Sequence, residues 1–233
     1  YSSFLMAADD FSQSLQQGEQ YQLQGHLPDA QLKFKQAYQL AADDFQQSQA
    51  LLALAQTEYQ YGNLSSARTL LERVIELNVA ATTGRAYLLS ASMYIARAET
   101  DRARQAIVTA MTYPDQEIQV IARLILAKIE PLERQQALLA EAFATLKLLP
   151  ETRKKAFLLI SMGQQAIDCC SALAFSALEQ ARSMDLKPWP RLLSQVYGYE
   201  ALLYQQQERF DDALKLTRLA IFNAQQEADL LMQ

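Results

Sequence analysis

Gly25-His26-Leu27-Pro28-Asp29-Ala30, continuing to Phe34 and Ala37, is the stretch from which the fold can be read. Gly25 is a turn residue, and Pro28 fits the first turn of a helix, where its missing N–H has no intrahelical partner to lose. Leu27, Ala30, Phe34 and Ala37 then fall on one helical face, with a small residue beside a large one. The same ruler fits Gly62, Leu64, Ala67, Leu71 and Val74. With weaker turn residues it also fits Ala98, Thr100, Ala103, Ile107 and Ala110, and near the end Glu208, Phe210, Ala213, Thr217 and Ala220.

The alanines at 30, 67 and 103 recur at intervals of 37 and 36 residues. The next clear match, Ala174 with Leu178 and Ala181, comes 71 residues after Ala103, which is two periods. One degenerate unit is therefore expected between them. Residues 115 to 150 supply it, with Ile118, Ile121, Ala122 and Ile125 on one face and Pro131 and Pro150 at the ends of a second helix. Six units follow, at roughly 7–42, 43–78, 79–113, 114–150, 151–187 and 188–232, forming a single domain over 1–233.

The first half of each unit reads as a helix with a matching stripe: Leu51, Leu54 and Ala55; Tyr87, Ala91 and Tyr94; Tyr197, Ala201 and Tyr204. A small residue sits mid-stripe at Gly18, Ala55, Ala91, Ala122 and Ala201, where two helices joined by a short turn must approach closely. One hairpin cannot bury both of its faces, so neighbouring hairpins are expected to stack. The Lys187-Pro188-Trp189-Pro190 break lengthens one connection, because the residue before each proline is pushed out of helical geometry. The fold class expected is all-α, a solenoid of about six antiparallel helix pairs.

These residues resemble the tetratricopeptide repeat family. The match is best at Gly18, Tyr21, Gly25, Ala30, Phe34 and Ala37, at Leu54, Ala55, Gly62, Ala67 and Leu71, and at Tyr197, Ala201, Tyr204, Phe210, Ala213 and Ala220. The period exceeds the family's usual ~34 residues, and the usual tryptophan near the start of each unit is absent. Such longer units resemble the helical superhelix of large bacterial regulators of the maltose-activator type, and repeats preceding caspase-like domains. The resemblance implies a right-handed superhelix whose first helices line a concave surface for peptides, helices or whole domains, in proteins that are not usually enzymes.

Composition narrows the function classes. Half of the 233 residues are hydrophobic, with only six Gly and six Pro, which suits packed helices and excludes wholesale disorder. The net charge of −5 is carried by dispersed groups. No basic patch of the kind a phosphate backbone demands is present, so direct nucleic-acid binding is not expected. No apolar run approaches the ~20 residues of a transmembrane helix. The chain begins at Tyr1, so a signal peptide, lipid anchor or neighbouring domain would lie outside it. Two cysteines suit the bacterial cytoplasm and the periplasm equally.

Catalytic and metal chemistry find little support. The single histidine, His26, sits in a turn, and with adjacent Cys169 and Cys170 it makes no zinc set. The two cysteines read as small hydrophobes at a helix junction. The carboxylate pairs Asp9-Asp10, Asp43-Asp44 and Asp211-Asp212 each read as preceding or opening a helix, where negative charge meets the positive helix end. No Gly-rich phosphate loop or other cofactor signature occurs, so no cofactor and no enzyme activity are expected.

A partner site is expected on the helix face opposite the packing stripe. The second unit presents there Leu52, Gln56, Tyr59 and Gln60. The third presents Arg85, Leu88, Ser92 and Ile95, the fourth Gln119, Arg123 and Leu126, and the last Gly198, Leu202 and Gln205. Gln and Tyr can hydrogen-bond an extended peptide or pack on a helix, and Arg85 and Arg123 are placed to pair a carboxylate. The reading is a non-catalytic scaffold that binds a protein or peptide partner. Two alternatives stand beside it: a sensory segment of a larger regulator that binds a small molecule, and a self-assembling module that makes a homo-oligomer through its last helix, Leu216 to Leu231.

Overall fold

The computed structural model describes residues 2–231, with side chains from 10 to 228. Among the described residues there are twelve α-helices and no strand: α1 (Ser2–Leu23), α2 (Leu27–Leu40), α3 (Asp44–Tyr61), α4 (Leu64–Leu77), α5 (Ala80–Ala96), α6 (Thr100–Met111), α7 (Gln116–Ala127), α8 (Leu132–Leu148), α9 (Arg153–Ala166), α10 (Ser171–Ser183), α11 (Pro190–Gln206) and α12 (Phe210–Leu231). The chain divides into two compact units, residues 1–118 and 119–233, with the division inside α7. In each unit helices pack against their successors in sequence, as stacked hairpins do. A second set of contacts joins alternate helices, α1 to α3 and α3 to α5 in the first unit, and α9 to α11 in the second.

The turn ruler has a backbone basis. Gly25 and Gly62 adopt left-handed φ of +80° and +90°, and Ala98 and Glu208 do so at +58° and +59° despite carrying a side chain. In all four turns the next residue donates its N–H five residues back, His26 to the Tyr21 carbonyl, Asn63 to Glu58, Glu99 to Tyr94 and Arg209 to Tyr204, each at 2.9 Å. This is the Schellman closure, which satisfies a helix's last carbonyls and reverses the chain. The remaining two turns are built differently. Pro131 sets the start of α8, and Cys170 donates to the Ala166 carbonyl at 2.8 Å ahead of α10.

In two of the hairpins a glycine on the first helix faces a large side chain on the second. A Cβ on Gly18 would lie 2.5 Å from Phe34 Cε1, and one on Gly163 would lie 2.8 Å from Leu178 Cγ. At the equivalent positions Ala55 shares one buried cluster with Leu71, and Ala91 and Ile107 are both fully buried. Gly163 is a member of this series that the turn ruler does not reach, because its hairpin lacks the left-handed turn.

Local chemistry fixes the helix ends. The Asp43 side chain accepts the Gln46 N–H at 2.8 Å, and Asp115 accepts those of Glu117 and Ile118. Buried Lys155 donates through Nζ to the Leu149 carbonyl at 2.7 Å and the Lys147 carbonyl at 3.4 Å, placing a cation on the exposed end of α8. One expectation needs correcting. Asp9-Asp10 does not open a helix, because α1 already runs from Ser2 with no breaker before it; the Asp9 side chain lies outside the described residues.

The core of the second unit is a continuous cluster from Val120 and Leu124 through Leu138, Leu159, Leu178 and Leu192 to Leu203, joined at its edge by Trp189. Polar staples reinforce the first unit. Buried Glu58 accepts from Gln31 Nε2 and Asn63 Nδ2, both at 2.8 Å, and Thr82 donates to Ser48 at 3.0 Å between α5 and α3. Arg73 on α4 donates to the Tyr38 hydroxyl at 2.6 Å and lies over its ring.

Candidate functional site

The face expected to receive a partner divides into surface and core. On α3, Gln56 and Gln60 are exposed and Tyr59 is half-buried, whereas Leu52 is buried among Leu51, Ala55 and Met93. Leu88 on α5 is likewise buried, and half-buried Ser92 donates back to the Leu88 carbonyl at 3.2 Å. The physical reason is the contact between alternate helices. α3 packs against α4 and also against α1 and α5, and α5 packs against α6 and α3, so the apolar band of each is wider than one stripe. Leu52 and Leu88 therefore belong to the core and are not available as surface.

The two arginines are occupied within their own units. Arg85 Nη1 meets Glu117 Oε1 at 2.8 Å, and its Nη2 lies 3.7 Å from Asp115. Arg123 Nε meets Glu141 at 3.1 Å, and its Nη1 donates to the Gln119 carbonyl at 3.0 Å. Both guanidinium groups are only partly exposed, so each works as a clamp between helices. Arg85 ties α5 to the start of α7, and Arg123 ties α7 to α8.

The second unit carries an open cleft on its odd-numbered helices. Gln164, Ile167 and Asp168 from the end of α9 face Tyr199, Leu202, Gln205 and Gln206 from α11 across a volume of about 580 Å³. Leu202 and Gln205 are two of the three residues, with Gly198, expected to present a binding face in the last unit. The cleft shares Gln164 and Asp168 with a second hollow of about 320 Å³, lined also by Lys128, Gln135, Ser161 and Gln165. Five carboxamides thus border the two adjoining hollows. Gln206 Nε2 donates to Asp168 at 3.3 Å, and the enclosed Gln165 Oε1 has no hydrogen-bond partner. A carboxamide both donates and accepts, which is the requirement a peptide bond sets. Half-buried Tyr199 and exposed Leu202 add apolar contact.

A furrow of about 370 Å³ lies in the first unit between α4, α5 and α6, bordered by Arg68, Glu72, Tyr87, Tyr94, Arg102 and Gln105. Arg68 and Glu72, one turn apart on α4, are paired along its rim at 2.9 Å. His26 is exposed at the start of α2, stacked beside the Tyr21 ring. Cys169 and Cys170 are free and half-buried. Burial pushes the Cys169 thiol above its ordinary value, with the neighbouring Cys170 acting in the same direction, so its reactive thiolate is scarce at neutral pH. Among the described residues no three His, Cys, Asp or Glu side chains converge as metal ligands, and no helix is long and apolar enough to cross a membrane.

Set against known proteins, the chain matches no family model and no curated protein.

Proposed function

We propose that this chain is a non-catalytic binding scaffold of the tetratricopeptide type, a right-handed superhelix that receives an extended peptide segment of a protein partner along its odd-numbered helices. The observation that carries the reading is the amide-bordered cleft of the second unit, where five glutamines, Tyr199 and Leu202 line two adjoining open depressions on α8, α9 and α11. A peptide laid there meets donors and acceptors that match its main chain, while Tyr199 and Leu202 take one or two apolar side chains. With Lys128 and Asp168 of opposite sign on the border, shape and main-chain contacts dominate over charge attraction.

The test is selection of unstructured peptides from a random displayed library on the immobilised chain, followed by titration against Leu202→Arg and Gln164→Ala/Gln205→Ala. Both variants alter exposed residues and leave the core intact. The expected result is peptides whose affinity falls at least tenfold in each variant. Failure to select any peptide, or selected peptides that bind the variants as well as the wild type, rejects the cleft.

A small-molecule reading attaches to the 370 Å³ furrow of the first unit, which is of ligand size and has two arginines and two tyrosines on its border. It requires a metabolite that raises the unfolding temperature of the wild type and has no effect on Tyr87→Ala.

A further inference from the structure

Two helices of the second unit begin against the rule that governs helix ends. The positive end of a helix favours acidic side chains, and α2, α3, α6, α7, α8 and α12 each carry one in the first turn. α9 opens instead on Arg153-Lys154-Lys155 and α11 on Pro190-Arg191, with no acidic residue in either first turn. Lys155 is accounted for by its bonds to the last carbonyls of α8. Arg153 and Arg191 are not so committed. Among the described residues no carboxylate lies within ion-pair distance of either, and neither guanidinium donates a hydrogen bond.

The fold sets these two cations side by side. Each lies ten residues before the small residue of its helix, Gly163 and Ala201, and α9 packs directly against α11. Packed helix axes lie about 8–10 Å apart, a gap that two arginine side chains can close. Arg153 is half-buried and Arg191 is exposed. Burial holds the Arg153 guanidinium below its ordinary value, Glu227 of α12 opposing this and Arg191 adding to it. The like charges are thus within reach of one another. Beside them an open hollow of about 430 Å³ is bordered by Arg191, Ser194, Gln195 and Glu227. Two like charges at two positive helix ends destabilise the free protein, and an arriving anion relieves both effects at once.

We propose that Arg153 and Arg191 form a binding site for a phosphate dianion, either free phosphate or the phosphate of a phosphorylated side chain. Two guanidinium forks present more donors than the two oxygens of a carboxylate can take in one plane, whereas the three terminal oxygens of a phosphate monoester can engage both. Its charge of about −1.5 to −2 near neutral pH matches the pair. Glu227 borders the same hollow and opposes the ligand, so it holds the affinity down. The site is separate from the peptide cleft, which lies towards the other ends of α9 and α11.

The test is phosphorus NMR line broadening of inorganic phosphate and, in a second arm, of capped phosphoserine, each titrated with the chain at constant ionic strength. Saturable broadening is expected in at least one arm. Arg153→Gln and Arg191→Gln should each weaken binding about tenfold, the loss of one charge-assisted fork. Glu227→Gln should strengthen it several-fold. Lys35→Gln, an equal change of charge on exposed surface of the other unit, should leave it unchanged. Helical circular dichroism checks that each variant is folded. Tighter binding of phosphoserine assigns the site to a phosphorylated side chain, and tighter binding of inorganic phosphate assigns it to the free ion. Absence of saturable broadening in both arms overturns the proposal, as does binding that survives both arginine substitutions. Equal weakening by Lys35→Gln, or displacement of phosphate by equimolar acetate, overturns it too.

Discussion

Substituting alanine for Gly163 and, separately, for Gly198 gives two chemically identical changes whose outcomes should differ. Both glycines lie inside helices, α9 and α11, and neither has a left-handed φ. Each substitution therefore gains the same propensity term, about 1 kcal/mol for Ala over Gly. At Gly198 a new Cβ meets nothing within 4 Å, so the gain stands and the variant is stabilised by about 0.5–1 kcal/mol. At Gly163 the Cβ would lie 2.8 Å from Leu178 Cγ and 2.9 Å from its Cδ2, against an ordinary carbon separation of about 3.5–4.0 Å. Cγ is the branch point of a fully buried side chain flanked by buried Ala174, Ala177 and Ala181, so the clash is relieved only if α10 moves away from α9. Overpacking of this kind costs about 1–3 kcal/mol, leaving Gly163→Ala neutral to about 2 kcal/mol destabilised. The difference between the two variants cancels propensity and reports the contact alone, about 1–3 kcal/mol. Urea unfolding followed by circular dichroism reads both. A third measurement uses Leu178→Ala as background: there the contact is gone, and Gly163→Ala should become stabilising. Equal stabilisation by the two glycine substitutions in the wild-type background would refute the close helix approach on which the repeat packing rests.

Two further outcomes follow from the backbone and from a buried carboxyl. Ala98→Gly and Glu208→Gly should each stabilise the chain by about 0.5–1 kcal/mol, because the left-handed conformation costs a residue with a Cβ roughly 1–2 kcal/mol, partly offset by the freer unfolded glycine; destabilisation at both in thermal unfolding would show that these turns are not strained. Burial lifts the Glu200 carboxyl above its ordinary value, the Arg182 guanidinium opposing this and Glu179 adding to it. The folded state then holds the proton more tightly than the unfolded one, so stability is greatest below about pH 4.3 as far as this group is concerned and falls as pH rises through the folded value. Glu200→Gln should remove that slope and be the more stable protein at pH 7; parallel pH–stability curves for variant and wild type would reject the assignment.

How much of the fold was legible depended on how each turn is closed. Where a left-handed residue ends the first helix, at Gly25, Gly62, Ala98 and Glu208, the N–H beyond it returns to the helix and the following alanine falls at a fixed distance. The spacing of residues in the sequence then reports the geometry, even where the turn residue is Ala or Glu. At Pro131 and Cys170 the chain turns by other means, and there the ruler loses its origin. That is why Gly163, with the same contact as Gly18, went unread. Helix periodicity still carried the fourth unit, since Ile118, Ala122 and Ile125 are buried along α7 whichever turn follows.

The binding face was harder to read, for a reason that lies in how stacked hairpins share their surfaces. A helical wheel divides a helix into one packed side and one free side, but α3, α5, α9 and α11 each have two packed sides. Leu52 and Leu88 were lost to the second of these, and Arg85 and Arg123 to acidic partners whose positions depend on loop geometry. What survives as surface is the narrow polar strip left between the two contacts, hence exposed glutamines at 56, 60, 164 and 205.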